Sequence, residues 1–117
     1  MDTEEVMELF EELEEIIEIN QTNCFNFCSM GGLFVILEMI LTHEVVDVRQ
    51  AACRLFSQLV SNNMKVQDFA VKVGAVNLTV QFEREFTPKM KEAVLGCLSN
   101  FLKGSNFAGK RQFISEL

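Results

Sequence analysis

Apolar residues recur at three- and four-residue steps along most of this chain, and the pattern itself repeats about every 42 residues. That spacing joins Leu13 to Leu55 to Cys97, and Ile17 to Leu59 to Phe101. It also joins Gly32 to Gly74, and each of these two residues precedes an apolar segment. A fixed period in the low forties is typical of stacked helical units that each bury one face against the next.

The periodicity predicts an acidic amphipathic helix over residues 3–20, followed by two similar blocks of a short, a middle and a long third helix. The block helices are predicted at residues 24–30, 33–43 and 46–60, then at 66–73, 75–85 and 88–103. Glycines at 31–32 and 74 are expected to end the short helices, and Thr87 is expected to cap the helix that Pro88 begins. No segment alternates with period two, so no sheet is expected.

Three helices per unit favour an armadillo array over a HEAT array. We therefore expect an all-α, right-handed solenoid of about two and a half armadillo units, forming one domain over residues 1–117. Its parts are an acidic leading helix (1–22), unit one (23–63), unit two (64–106) and the start of a truncated unit three (107–117). The repeat predicts a glycine directly after Leu117, so we expect an excised fragment or an uncapped array, which could self-associate through residues 107–117.

The net charge of −7 is unevenly distributed. Residues 1–18 contain nine acids and no base, whereas the other 99 residues contain eight acids and ten bases. A sequence-independent nucleic-acid binder needs a basic face, so a nucleic-acid partner is not expected. No uninterrupted apolar run reaches the length that spans a bilayer, and no membrane association is expected.

No constellation for catalysis is recognisable, and the chain is not expected to be an enzyme. Cys53 and Cys97 fall in apolar helical patterns, while Cys24 and Cys28 are one helical turn apart. With His43 as the single histidine, no metal site is expected. Residues 104–110 match most of a phosphate-binding loop, but the next residue is arginine and no strand precedes it, so we interpret them as a loop between units. No cofactor is expected.

The third helices of a solenoid line its concave surface, and their polar positions join into a stripe. We expect partner-binding residues there, and the hypothesis names Glu12, Ile16, Asp47, Gln50, Arg54, Gln58, Ser61, Lys89, Glu92, Gly96, Asn100 and Lys103. The ordinary alternative is a plain solvated face.

Several segments, in order, resemble the armadillo-type nucleotide exchange factors of BiP/DnaK-class heat-shock chaperones. They are N-C-F-N-F-C-S-M-G-G-L at 23–33, V-R-Q-A-A-C at 48–53, N-M-K-V-Q at 63–67, G-A at 74–75 and R-Q-F at 111–113. Residues 65–67 and 111–113 look more like the endoplasmic-reticulum member than the cytosolic one. The tryptophan–asparagine ladder of nuclear-import adaptors is missing, since Arg54 and Gly96 stand at the tryptophan positions.

The resemblance implies a co-chaperone that clasps the ATPase domain of a heat-shock chaperone and promotes ADP release. It implies location in the endoplasmic-reticulum lumen, with the cytoplasm as the alternative. Family members have about four armadillo units, so this chain would hold the front half. The alternative function is an armadillo scaffold that binds another protein or an extended peptide.

Overall fold

The computed structural model describes residues 2–19, 21–61 and 63–102, and this part of the chain is helical without strands. The helices are α1 (Thr3–Ile19), α2 (Gln21–Phe27), α3 (Leu33–Thr42), α4 (Val46–Val60), α5 (Met64–Lys72), α6 (Asn77–Arg84) and α7 (Pro88–Leu102). Residues Cys28–Gly32 connect α2 to α3 through a kink at Gly31, whose backbone is not helical. The expected all-α class is confirmed.

Side-chain caps determine where several helices begin. The Asp2 carboxylate accepts a hydrogen bond from the Glu5 N–H at the start of α1. The Asn63 side chain accepts one from the Val66 N–H at 3.1 Å, so α5 begins two residues before the predicted start. The predicted cap at Thr87 is confirmed, because its hydroxyl accepts a hydrogen bond from the N–H of Met90 at 3.3 Å.

Two glycines allow the chain to turn after the short helices. Gly31 has φ +107° and Gly74 has φ +99°, in the left-handed region that L side chains rarely adopt. The conformational equivalent of Gly74 is therefore Gly31, not Gly32 as the 42-residue spacing predicted. Gly32 is helical, and a Cβ there would lie 2.5 Å from the Phe27 ring, so its role is to admit that ring.

Helix α4 is the centre of the fold, since it packs against α1, α3, α5 and α7. The pairing of α3 with α4 recurs in the pairing of α6 with α7. Like helices of the two blocks also contact each other, namely α2 with α5 and α4 with α7. Consequently α1, α4 and α7 lie in a row, with α4 in the middle.

The predicted periodic positions form the core. Leu55, Leu59, Cys97 and Phe101 are all at most 1 % exposed. On α1, Ile17 is buried at the equivalent position. Helix α1 packs against one side of α4 and helix α7 packs against the other. The two blocks therefore share one apolar core.

A buried ion pair joins the two blocks. Both guanidinium N–H groups of Arg49 on α4 donate to the Glu85 carboxylate, directly after α6, and the Arg49 Nε–H donates to the Ile40 carbonyl at 2.8 Å. Gln81 donates a further hydrogen bond to Glu85. Burial alone would raise the pKa of Glu85, but the hydrogen bonds from Arg49 and Gln81 outweigh it and hold that pKa below its ordinary value.

One helical stretch, Thr22–Thr42, is long and apolar enough to cross a membrane by length and composition, with a mean hydropathy of 1.8. The sequence expectation missed it because isolated polar residues interrupt the run. The core helix of a soluble protein and a signal sequence have the same character. In this fold the stretch is bent at Gly31, and Leu33, Ile36 and Ile40 lie in the core.

The expected third unit, its self-association through residues 107–117 and the loop at 104–110 lie outside the described residues. The boundary expected at 63–64 falls where α5 begins, after the short connection from α4, whereas the boundary expected at 22–23 falls inside α2.

Replacing Gly31 with alanine should destabilise the fold by about 1–2 kcal/mol, because a Cβ disfavours the left-handed conformation even where space is open. Gly96 is the matched control. It lies inside α7 with no atom within 4 Å of an added Cβ, so Gly96→Ala should stabilise by about 0.5–1 kcal/mol. Urea unfolding measures both, and equal effects of the two substitutions would contradict the assignment of Gly31.

Replacing Glu85 with glutamine should cost about 2 kcal/mol at pH 7, since Arg49 loses its buried counter-charge. The pKa of Glu85 is lower in the folded chain than in the unfolded one, so the stabilisation is present above the ordinary carboxyl pKa. It is lost as the pH falls through the folded pKa.

Urea unfolding from pH 7 down to pH 3 tests this, and the gap between wild type and Glu85→Gln should shrink at the acid end. Glu83→Gln, on the exposed side of α6, is the control and should change stability by less than about 0.5 kcal/mol. A gap that is constant with pH would refute the role of the ionised pair.

Candidate protein-binding groove

An open groove of about 420 Å³ runs between α4 and α7. It is lined by Gln50, Cys53, Arg54 and Ser57 from α4 and by Lys89, Glu92, Ala93 and Gly96 from α7. Five of these are residues of the predicted stripe: Gln50, Arg54, Lys89, Glu92 and Gly96. The structure therefore brings together the middle of the stripe from the two adjacent long helices, in the order expected from their spacing.

Four other predicted residues lie beyond this groove. Asp47 is exposed in the first turn of α4. Gln58 and Ser61 line a smaller pocket of about 180 Å³ where α1, α2 and α4 meet. Asn100 is half-buried, and its amide donates to the Gly96 carbonyl at 2.9 Å. Lys103 lies outside the described residues.

The two predicted residues on α1 do not join the groove. Helix α1 meets α4 through Glu14, whose carboxylate lies 3.5 Å from the Arg54 Nε and whose carbonyl accepts a hydrogen bond from the Gln58 amide. Glu12 and Ile16 are exposed, and at 100° per residue they lie roughly 160° around the helix from Glu14. The sequence analysis did not identify Glu14. Nine acids lie within residues 1–18, and no local sequence feature distinguishes the one that contacts Arg54.

The groove has a polar rim and a floor of small residues. Arg54 and Lys89 place positive charge on its two sides, with Glu92 and Gln50 beside them. The Arg54 side chain is 63 % exposed, so its guanidinium is accessible to a partner while Nε lies 3.5 Å from the Glu14 carboxylate. The α7 wall of the groove is shallow at Gly96, because glycine has no side chain. Such a groove suits the polar side chains of a macromolecule rather than an enclosed small molecule.

Cys53, Ser57 and Ala93 are lining residues that the sequence analysis did not assign to the stripe. They lie three or four residues from stripe positions, on the sides of α4 and α7 that face each other. The signal that could have found them is this spacing, combined with the knowledge that α4 and α7 are neighbours.

The cysteines form two contacting pairs. The Cys97 thiol donates to the Cys53 carbonyl at 3.2 Å, and its hydrogen bond with Cys53 together with burial raises the pKa of Cys97. The Cys24 thiol donates to the Leu59 carbonyl at 3.7 Å, and the hydrogen bond between Cys24 and Cys28 lowers the pKa of Cys24 and raises that of Cys28. Within the described residues, no three or more His, Cys, Asp and Glu side chains are grouped to hold a metal ion.

Cys28 and Cys97 should resist alkylation in the native chain, because both are fully buried and their raised pKa leaves little reactive thiolate at pH 8. Treatment with iodoacetamide followed by mass spectrometry measures this. The same treatment in 6 M guanidinium is the control and should label all four cysteines. Rapid native labelling of Cys97 would show that the α4–α7 contact opens.

Comparison with known proteins gives no relative for this chain. No protein-family model matches it, and neither a curated protein nor a solved structure is significantly similar to it.

Proposed function

We propose that this chain is an armadillo-type α-solenoid whose row of long helices binds another protein. The recurrence of α3 with α4 in α6 with α7, and the contact of α4 with α7, support this architecture. The left-handed glycines after α2 and after α5 support it too, because they give both blocks the same bend. The observation that carries the proposal is the groove between α4 and α7, where polar residues of neighbouring units converge.

The proposed partner is the ATPase domain of a BiP/DnaK-class heat-shock chaperone. The ordered motifs support this class of partner, and the structure separates their framework residues from the exposed ones. In the V-R-Q-A-A-C segment, Val48, Ala51 and Ala52 are buried and Arg49 forms the ion pair with Glu85. These residues build the scaffold, so partner contacts belong to the outward positions. In this segment both Gln50 and Cys53 line the groove, but Cys53 is buried, and Gln50 is therefore the residue that a partner would contact.

The proposed mechanism is a shift in the conformational equilibrium of the chaperone. The row of long helices binds the ATPase domain in a form whose nucleotide pocket is open, and ADP leaves faster. The shift equals the difference in affinity for the open and closed forms, so a hundredfold preference for the open form supplies about 2.7 kcal/mol. The chain needs no contact with the nucleotide.

The test is the release rate of fluorescent ADP from a purified BiP-like chaperone with and without the chain. Wild type should accelerate release, and Lys89→Glu should weaken the effect several-fold, since it reverses a charge on the groove rim. Lys72→Glu, an exposed charge reversal on α5, is the matched control and should leave the rate unchanged.

Unchanged ADP release, together with no measurable binding of the ATPase domain, would reject the exchange-factor proposal. If an extended peptide or another protein then binds, and Lys89→Glu weakens that complex, the scaffold function replaces it. Equal effects of Lys89→Glu and Lys72→Glu would show that the groove is not the contact surface. The corresponding location is the endoplasmic-reticulum lumen, with the cytoplasm as the alternative.

A further inference from the structure

Helix α1 has an exposed apolar edge on the side that faces away from α4. Leu9 is 46 % exposed and Ile16 is 51 % exposed. They are seven residues apart and so lie on one side of the helix, roughly 140–160° around the axis from Glu14, which contacts α4. The inner face of α1 is already buried through Val6 and Phe10, so this edge is additional apolar surface.

The positions on α4 that are equivalent to Leu9 and Ile16 are covered by a neighbouring helix. At the 42-residue spacing, Leu9 corresponds to Ala51 and Ile16 corresponds to Gln58. Ala51 is buried, and the Gln58 amide donates to a backbone carbonyl of α1 at 3.2 Å. On α4 this side is thus covered by a neighbouring helix, whereas on α1 no described residue covers it.

The negative charge around the Leu9–Ile16 edge favours a positively charged binding partner. Exposed glutamates flank the apolar pair, and they are Glu5, Glu8, Glu12 and Glu15. Residues 1–18 contain no base to offset them. A second copy of the chain placed α1 to α1 would bring two acidic helices together, which is unfavourable. A segment that combines apolar and basic residues complements both the surface and the charge.

We propose that the Leu9–Ile16 edge of α1 is a docking site for a basic amphipathic helix of another protein. The partner helix places two apolar side chains about two turns apart against Leu9 and Ile16, and its lysines or arginines meet the flanking glutamates. This surface is separate from the α4–α7 groove, and the proposal does not depend on the exchange-factor function.

The test uses the full chain and a fluorescein-labelled synthetic 18-residue helix with two leucines seven residues apart among lysines. Fluorescence anisotropy should show binding to wild type that weakens several-fold between 50 and 300 mM NaCl. The double variant Leu9→Ser/Ile16→Ser should bind at least about tenfold more weakly. Val80→Ser/Leu95→Ser removes two similarly exposed apolar side chains elsewhere and should bind as wild type does.

A companion peptide with glutamate in place of each lysine should not bind, and circular dichroism should show unchanged helicity in both double variants. The proposal fails if Leu9→Ser/Ile16→Ser retains wild-type affinity, because binding would then be charge attraction alone. It also fails if the acidic peptide binds equally well. Sedimentation that shows a wild-type dimer dissolved by Leu9→Ser/Ile16→Ser would overturn it in favour of a second copy.

Discussion

The register between the two helical blocks depends on the buried contact of Arg49 with Glu85. Arg49 holds the end of α3 through the Ile40 carbonyl and the end of α6 through the carboxylate, while its own backbone belongs to α4. The hydrophobic attraction along α4 and α7 is not directional, whereas a planar guanidinium accepts few geometries. This contact therefore fixes where one block lies on the other.

The groove is a consequence of that register. Gln50 and Arg54 lie across the groove from Lys89 and Glu92 only if α4 and α7 keep their relative position along the helix axes. A one-turn displacement, about 5.4 Å, would pair different residues across the groove. Charged groups that are buried add little net stability compared with an apolar replacement, but they can select one arrangement among several. In this chain the selected arrangement is the one that assembles the rim of the groove.

The helices and some of their ends, such as the start of α7, could be predicted from the sequence because the signals that set them are local, whereas the predicted starts of α2, α5 and α6 were two or three residues off. Apolar residues every three or four positions give the helices, and the Thr87 hydroxyl acts within one turn. The contacts that build the site are not local. Arg49 and Glu85 are 36 residues apart in the sequence. Glu14 on α1 contacts Arg54 on α4, and α2 and α3 lie between them in the sequence. The spacing rule aligned α1 with α4 by sequence position, but it could not show that Glu12 and Ile16 turn away from the groove.

The division between framework and surface has a consequence for how such a chain can acquire partners. Val48, Ala52 and Leu59 on α4 are buried and cannot change without a loss of packing. Arg54, on the opposite side of the same helix, is largely exposed and contributes little to the core. Since stability and recognition lie on different faces of one helix, surface residues can be exchanged while the register is kept. Motifs such as V-R-Q-A-A-C thus describe the packed framework, whereas under the proposed function the exposed rim would determine which protein is bound.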